Sequence, residues 1–356
     1  MPNIHTIATH EKPHLDEIAA IWLLRKFGEK RFPGISTAGV AYWDSGGTPD
    51  GRAADAYEKE GILPVGVGGG SLDEHPAEGR ERREGECAAT LTADLLGIRD
   101  DPVLEKILKF VLMSDTKGAG NSFDLAYLVK AFHRQYPEDS KRVMEWVLLA
   151  LEVKYNEQVE FLSSAREEFQ KAEVEEVPGP NGQTLKMATV RSDSELVGKF
   201  ARSERGCRAA VVIQRLSRGN TQIYTNKLFR VLLYDVAQMI RLAEQEAKGE
   251  VVTTDWRLLA SEGKVKGAEE WYFHSAGQFL LNGSLTTRNV PPTRLSLESI
   301  QEIVRIGVNP NAFEPKRAED CTHGICTSTR NNPCPWYAWG LHRCRKIRYE
   351  MLHAHE

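Results

Sequence analysis

Three short stretches of this chain carry side chains that bind metal ions or move protons. The first, His10-Glu-Lys-Pro-His14-Leu-Asp16, sets two imidazoles and a carboxylate within seven residues. That mixture suits Mn, Zn or Fe, whereas a Mg-only site uses oxygen ligands. The second, Pro64-Val-Gly-Val-Gly-Gly-Gly-Ser-Leu-Asp73-Glu74-His75, runs through glycines into two acids and a histidine. Glycines let backbone N–H groups approach a phosphate, and the following side chains can then reach a metal beside it. It is not a P-loop, because no Gly-Lys-Ser/Thr follows, and an acidic loop stands where a dinucleotide fingerprint opens a helix. The third, Ser114-Asp115-Thr116-Lys117, ends an apolar helical pattern and offers a further carboxylate and a cation for phosphate. Each stretch also has an ordinary reading: Asp16 as a helix cap, the glycines as a turn, and Asp115 as part of a helix end.

The elements that must position these groups follow from periodicity. Ile4 to Thr9 has the β-branched content of a strand, and residues from Asp16 to Lys26 form a helical pattern stopped by Gly28. Thr37 to Trp43 and Leu63 to Val67 read as strands, and Glu86 to Leu96 and Val103 to Ser114 as helices. This alternation predicts an α/β fold with a mainly parallel sheet and flanking helices, and metal ligands on the loop leaving its first strand. The stretch from Ser140 to Glu175 lacks Gly and Pro and reads as connecting helices. Strands near Lys186 to Val190, Ala209 to Gln214 and Thr221 to Tyr224, with helices at Leu228 to Lys248 and Ser296 to Ile306, predict a second, smaller α/β domain. The expected organisation is a metal-binding domain over 1–140, a helical linker over 141–176, a substrate domain over 177–310 and a Cys-rich aromatic tail over 311–356.

Composition narrows the setting. The chain has 356 residues, 41% of them hydrophobic, and a formal net charge of -4, so bulk charge supplies no general attraction to nucleic acid. No run approaches the ~18 apolar residues of a membrane span, and the N-terminus lacks a basic leader followed by an apolar stretch. No membrane partner and a cytoplasmic location are therefore expected. Four of the six cysteines, Cys321, Cys326, Cys334 and Cys344, fall within the 24 residues 321–344. Without a secretory signal, they suggest free thiols or a structural zinc site before disulfides. The alternative is a docked tail in which Trp336, Tyr337 and Trp339 pack and the cysteines are small buried hydrophobes.

In their order, His-x-x-Pro-His-x-Asp, a strand with Asp-x-His, Glu-Cys-Ala-Ala-Thr before a Leu-Leu-Gly helix, and Ser-Asp resemble the DHH phosphoesterase superfamily. The chain looks most like its Myg-type metal-dependent exonucleases. Trp271-Tyr-Phe-His274-Ser-Ala-Gly277, with Asn282-Gly283 behind, resembles their second-domain motif, so the likeness spans about 1–310. The resemblance implies metal ligands at His10, His14, Asp16, Asp73, Glu74, His75 and Asp115, with Asp73 and His75 as the catalytic pair. It also implies substrate contacts at His274, Gly277 and Asn282, to which the basic stretch around Arg215, Arg218 and Lys227 would add backbone contacts. Two departures stand out. The superfamily's bridging aspartate is matched here by Gly66, and one imidazole of Asp-His-His is replaced by Glu74; Asp44 or Glu74 is the candidate for the missing oxygen ligand.

The implied activity is divalent-metal-dependent phosphodiester hydrolysis, with Mn first and Mg, Fe or Zn as alternatives. The expected form is a 3'-5' exonuclease on short or single-stranded nucleic acid, compatible with a homodimer. The alternatives are a small-molecule phosphatase or cyclic-dinucleotide phosphodiesterase, and a non-catalytic nucleotide-sensing protein with a degenerate site.

Overall fold

The computed structural model describes residues 2–44, 47–76, 81, 83–118, 120–179, 182–284, 287, 289–309, 319–321, 323–334, 337 and 340–353. The chain divides into two compact units, Met1–Leu162 and Ser163–Glu356. Trp336 and Trp339, expected to anchor the tail, lie outside the described residues.

The first unit contains β1 (Thr6–His10), α1 (Leu15–Phe27), β2 (Gly39–Trp43), α2 (Ala54–Lys59), β3 (Ile62–Pro64), α3 (Ala88–Leu96), α4 (Glu105–Lys117), α5 (Leu125–Gln135) and α6 (Ser140–Leu162). Its three strands form a parallel sheet in the order β2-β1-β3. Ile7, Ala8 and Thr9 in the central strand are buried, as expected of a strand covered on both faces. Every residue of α1 from Leu15 to Leu24 is buried, so this helix runs through the core rather than over it. It packs against α3, α4, α5 and α6. Apolar residues expected in a linker, including Val143, Met144, Val147 and Leu151 of α6, belong to this same core.

The second unit contains α7 (Ser164–Phe169), β4 (Glu173–Pro178), β5 (Thr184–Arg191), α8 (Glu195–Arg202), β6 (Val211–Arg215) and β7 (Thr221–Thr225). It continues through α9 (Tyr234–Lys248), α10 (Trp256–Leu259), β8 (Gly263–Val265), β9 (Ala268–His274), β10 (Phe279–Asn282) and α11 (Leu297–Val308), and ends with a helix at His342–His353, here α12. The seven-stranded sheet has the order β4-β5-β6-β7-β10-β9-β8. Among the described strands of this sheet, only β5 and β6 pair in parallel; its other pairs are antiparallel.

The α/β class thus holds, but the mainly parallel sheet is the small one, and the second unit carries the larger, mixed sheet. Short connections explain the difference: β6–β7 and β9–β10 are joined by a few residues each, which permits hairpins and not parallel crossovers. The charge of β4 favours a helix in the sequence, but the segment is an edge strand with exposed acidic side chains, and the sheet supplies its partner.

Candidate metal centre

The candidate ligands of the first unit gather beyond the carboxyl end of its parallel sheet, where open α/β sheets place their sites. His10 is the last residue of β1, and His14 is the N-cap residue of α1. The loop between them is tied down from the far side: His133 Nε2 of α5 donates to the Pro13 carbonyl at 2.9 Å, and Ser140 Oγ donates to the Glu11 carbonyl. The His133 ring is buried, so it is a positioning group that no local motif reveals.

Asp16 and Glu17 lie in the first turn of α1 and are only 4% and 2% exposed. One Asp16 oxygen accepts from the Ala88 N–H at the start of α3, at 3.3 Å. The Glu17 carboxylate contacts His10 Nδ1 and accepts from the His14 backbone N–H. Asp73 accepts from the Gly69 N–H at 2.8 Å and the His75 N–H at 2.9 Å. Its Oδ1 also lies 2.9 Å from His75 Nδ1, a carboxylate–imidazole pair that leaves the rest of the half-exposed ring outward. The His10 and His75 rings meet edge to face, with centroids 6.0 Å apart.

Donor atoms of Asp16, Glu74 and Asp115 lie within 4.8 Å of one another, as do those of His14, Asp16 and Glu17, and those of Asp73, Glu74 and His75. Asp16 and Glu74 each appear in two triads, which links the three stretches into one network. Asp115 comes from α4, and a cavity of about 70 Å³ beside it is lined by His14, Asp16, Ser114 and Lys130 among others. That is room for several water molecules or a hydrated ion.

Among the described residues, the site gathers more buried negative than positive charge. Burial pushes the Asp16 carboxyl well above its usual range, and Glu17, Glu74 and Asp115 push it further. Burial also raises Glu74, whose buried Oε2 has no hydrogen-bond partner among the described residues. Burial would raise Asp73 too, but the hydrogen bonds from His75 and Gly69 outweigh it and hold Asp73 low. His10 is raised, chiefly by its bond to Glu17. Buried carboxylates in this density need protons or a cation.

Gly66 has φ +67°, and a Cβ built there would come 2.7 Å from Glu17 Cγ and 2.8 Å from Glu17 Oε1. The space a side chain at 66 would take is therefore filled by the Glu17 carboxylate. Sequence reasoning misses Glu17 because a Glu at the third position of a helix reads as a capping partner. Asp44, the other candidate for the missing ligand, is exposed and lines a separate depression with Glu11, Tyr42 and Asp139.

The expected substrate residues of the second unit do not form one group. His274 and Gly277 lie at the β9–β10 turn, where the Gly277 N–H donates to His274 Nδ1 at 2.7 Å and the His274 ring stacks on Phe279. Arg215, Arg218 and Asn282 lie toward the other end of β10, three residues or about 10 Å away at strand rise. Asn282 is fully buried, and its amide binds Asn220, the Thr293 N–H and the Pro291 carbonyl. Its side chain is thus committed to holding loops together, which does not support the substrate contact expected for it. Arg215 donates to Thr221 Oγ1, and Arg218 to the Ser284 carbonyl. Lys227 is exposed.

Among the described residues, no helix is long and apolar enough to cross a membrane. No protein-family profile matches the chain, and no curated protein matches it. A crystal structure of an uncharacterized protein from Helicobacter pylori G27 is similar over 85% of this chain and 99% of its own, at 10% identity and a TM-score of 0.25. A likeness at that level carries no argument about fold or activity.

Proposed function

We propose that the first unit is a divalent-metal-dependent phosphoesterase of the DHH type, acting on phosphodiester bonds of short or single-stranded nucleic acid. The observation that carries this reading is the meeting of Asp16, Glu74 and Asp115, from three separated elements, with donor atoms within 4.8 Å. The donor set fits a cation: two of the three carboxylates are buried, and Glu74 Oε2 has no hydrogen-bond partner among the described residues.

Asp16, Glu74 and Asp115 would hold one ion through oxygen, and His10, His14 and Glu17 would supply a mixed nitrogen and oxygen set beside it. When bound there, a divalent ion would supply Lewis-acid chemistry, making water a better nucleophile and offsetting charge on a phosphoryl oxygen. Glu17, whose carboxylate fills the space a side chain at Gly66 would take, would supply an oxygen ligand where the superfamily's aspartate is matched by Gly66. Asp73 orients the His75 ring, whose exposed edge can exchange a proton with the attacking or leaving oxygen. Lys130, at the rim of the adjoining cavity, offers a positive charge to a phosphate.

The test is hydrolysis of end-labelled single-stranded RNA and DNA, a phosphomonoester and a cyclic dinucleotide, with Mn²⁺ or a chelator, by wild type and Asp16→Asn. Metal-dependent stepwise cleavage of oligonucleotides that disappears in the variant supports the nuclease. Turnover confined to the monoester or the cyclic substrate moves the assignment to those reactions. Absence of metal-dependent turnover of any of them refutes the enzyme reading.

A further inference from the structure

Outside the candidate metal centre, no group of three His, Cys or acidic side chains among the described residues comes within metal-holding reach. The C-terminal cysteines are free thiols, and Cys334 and Cys344 pack with Leu341 in a small buried cluster. The second unit instead sets two cations side by side. β5 and β6, the parallel pair of its sheet, are joined through α8, and both end on an arginine. Arg191 and Arg215 are register partners, so their backbones stand about 4.8 Å apart at the carboxyl ends of the two strands. That is where α/β units place ligands. Both arginines line one cavity of about 450 Å³, together with Ser192, Asp193, Ser217 and Gly219.

Like charges directly opposite on neighbouring strands repel, and the described residues do little to relieve them. The Arg191 side chain is exposed and has no hydrogen bond or ion pair among those residues. Arg215 is half-buried and donates from Nη1 to Thr221 Oγ1 at 2.8 Å. Burial lowers the Arg215 guanidinium, and Arg191 lowers it further. Glu298 lies near both arginines and Glu244 near Arg215, but neither forms an ion pair with them among the described residues. Asp193, the acid on the cavity wall, is committed to Ser217: its Oδ1 accepts from the backbone N–H at 2.9 Å and its Oδ2 from Oγ at 2.6 Å. Ser192 Oγ accepts from the Ser194 N–H at 2.9 Å, which leaves the hydroxyl proton to donate. Gly219, at φ +90°, keeps the wall open, since a Cβ there would lie 4.0 Å from Arg215 Nη2.

An anion between the two guanidiniums would turn this repulsion into attraction. A planar carboxylate is satisfied by one guanidinium fork, whereas the oxygens of a tetrahedral phosphate can meet two forks at once. The cavity falls within the roughly 300–1,000 Å³ of small-ligand sites, which leaves room for the group the phosphate is attached to. We propose that Arg191 and Arg215 form a phosphoryl-binding subsite at the carboxyl end of the β5–β6 pair, taking the phosphate of a mono- or diester. The subsite shares no residue with the candidate metal centre and does not rest on the phosphoesterase reading.

The experiment titrates the full chain, in chelator and at constant ionic strength, with inorganic phosphate, a 5'-mononucleotide, a short single-stranded DNA and acetate, followed by calorimetry and thermal denaturation. Phosphate should bind and raise the thermal transition, and acetate should not. Arg191→Gln, whose side chain is exposed, and Arg215→Gln should each weaken phosphate binding by about 10-fold or more. Lys264→Gln, an exposed cation on β8 at the far edge of the sheet, and Asp16→Asn should leave it unchanged. DNA bound more tightly than the mononucleotide, with that binding lost in both arginine variants, would assign the subsite to backbone phosphates. The reverse order, with the same loss, would assign it to a small phosphate ester. Absence of a phosphate-dependent shift in the wild type, a shift retained in both arginine variants, or acetate bound as well as phosphate would overturn the proposal.

Discussion

Replacing Asp16 by Asn should have opposite effects on the metal-free and metal-bound protein. Two unit charges 4.8 Å apart, the outer limit among Asp16, Glu74 and Asp115, repel by about 3.5 kcal/mol at an effective dielectric of 20. Three ionised carboxylates form three such pairs, and the Asp16→Asn substitution removes two of them at nearly constant shape. Proton uptake and solvent relieve most of this repulsion in the wild type, leaving a gain on the order of 1 kcal/mol for the metal-free variant. That corresponds to a rise of about 2–4 °C in the transition of a unit this size. The sign with pH follows from the raised Asp16 carboxyl. A carboxyl raised on folding stabilises the fold when protonated, below its unfolded value of ~3.9, and that stabilisation is lost as pH rises through the folded value. The metal-free wild type should therefore lose stability over this interval, and Asp16→Asn should flatten the slope. With Mn²⁺ at 100 times its Kd, the wild type gains about 2.7 kcal/mol, or roughly 5–11 °C, whereas the variant gains almost nothing. Thermal denaturation of both proteins, with chelator and with Mn²⁺, measures all four states. An equal Mn²⁺ shift in the two proteins, or a metal-free variant less stable than wild type, would refute the reasoning.

Four further outcomes follow. His10 is raised by Glu17, so its proton competes with metal: Mn²⁺ affinity should strengthen as pH rises above 6.5, and calorimetric titrations showing no pH dependence there would remove His10 from the ligands. Gly66→Ala should cost about 2 kcal/mol in chemical denaturation, since φ is +67° and the new methyl meets Glu17, whereas Glu17→Ala with Gly66→Asp should regain metal affinity lost in Glu17→Ala alone. His133→Ala should release the Pro13 carbonyl and weaken Mn²⁺ binding by ~10-fold while leaving ligands intact; unchanged affinity would make the bond purely structural. Asn282→Ala should destabilise the second unit by about 1–3 kcal/mol without changing Mn²⁺ affinity, as measured by denaturation and titration.

Much of the first unit is legible in the sequence because its signals are local. Ile7 and Thr9 mark the strand, Gly28 the helix stop, and the density of His and Asp from 10 to 16 the candidate site. What stays hidden depends on distant packing. Glu17 acquires significance only because Gly66 leaves room for it, and His133 because α5 folds against a loop 120 residues earlier. In the second unit, β4 is obscured by its acidic edge, while register alone separates His274 from Arg215 and Asn282. Neighbouring motifs in a sequence can face different ends of a sheet, and pairing decides which.

The most direct test of the central claim is titration of the chelated, full-length protein with Mn²⁺, followed by calorimetry and by the spin signal of the free ion. Mn²⁺ is a hard ion that prefers carboxylate and imidazole to the C-terminal thiols, so it reports on the first unit. The account predicts one or two ions bound per chain, with that binding lost in Asp16→Asn and in Glu74→Gln. No uptake by folded wild type, or uptake unchanged by both substitutions, would contradict it.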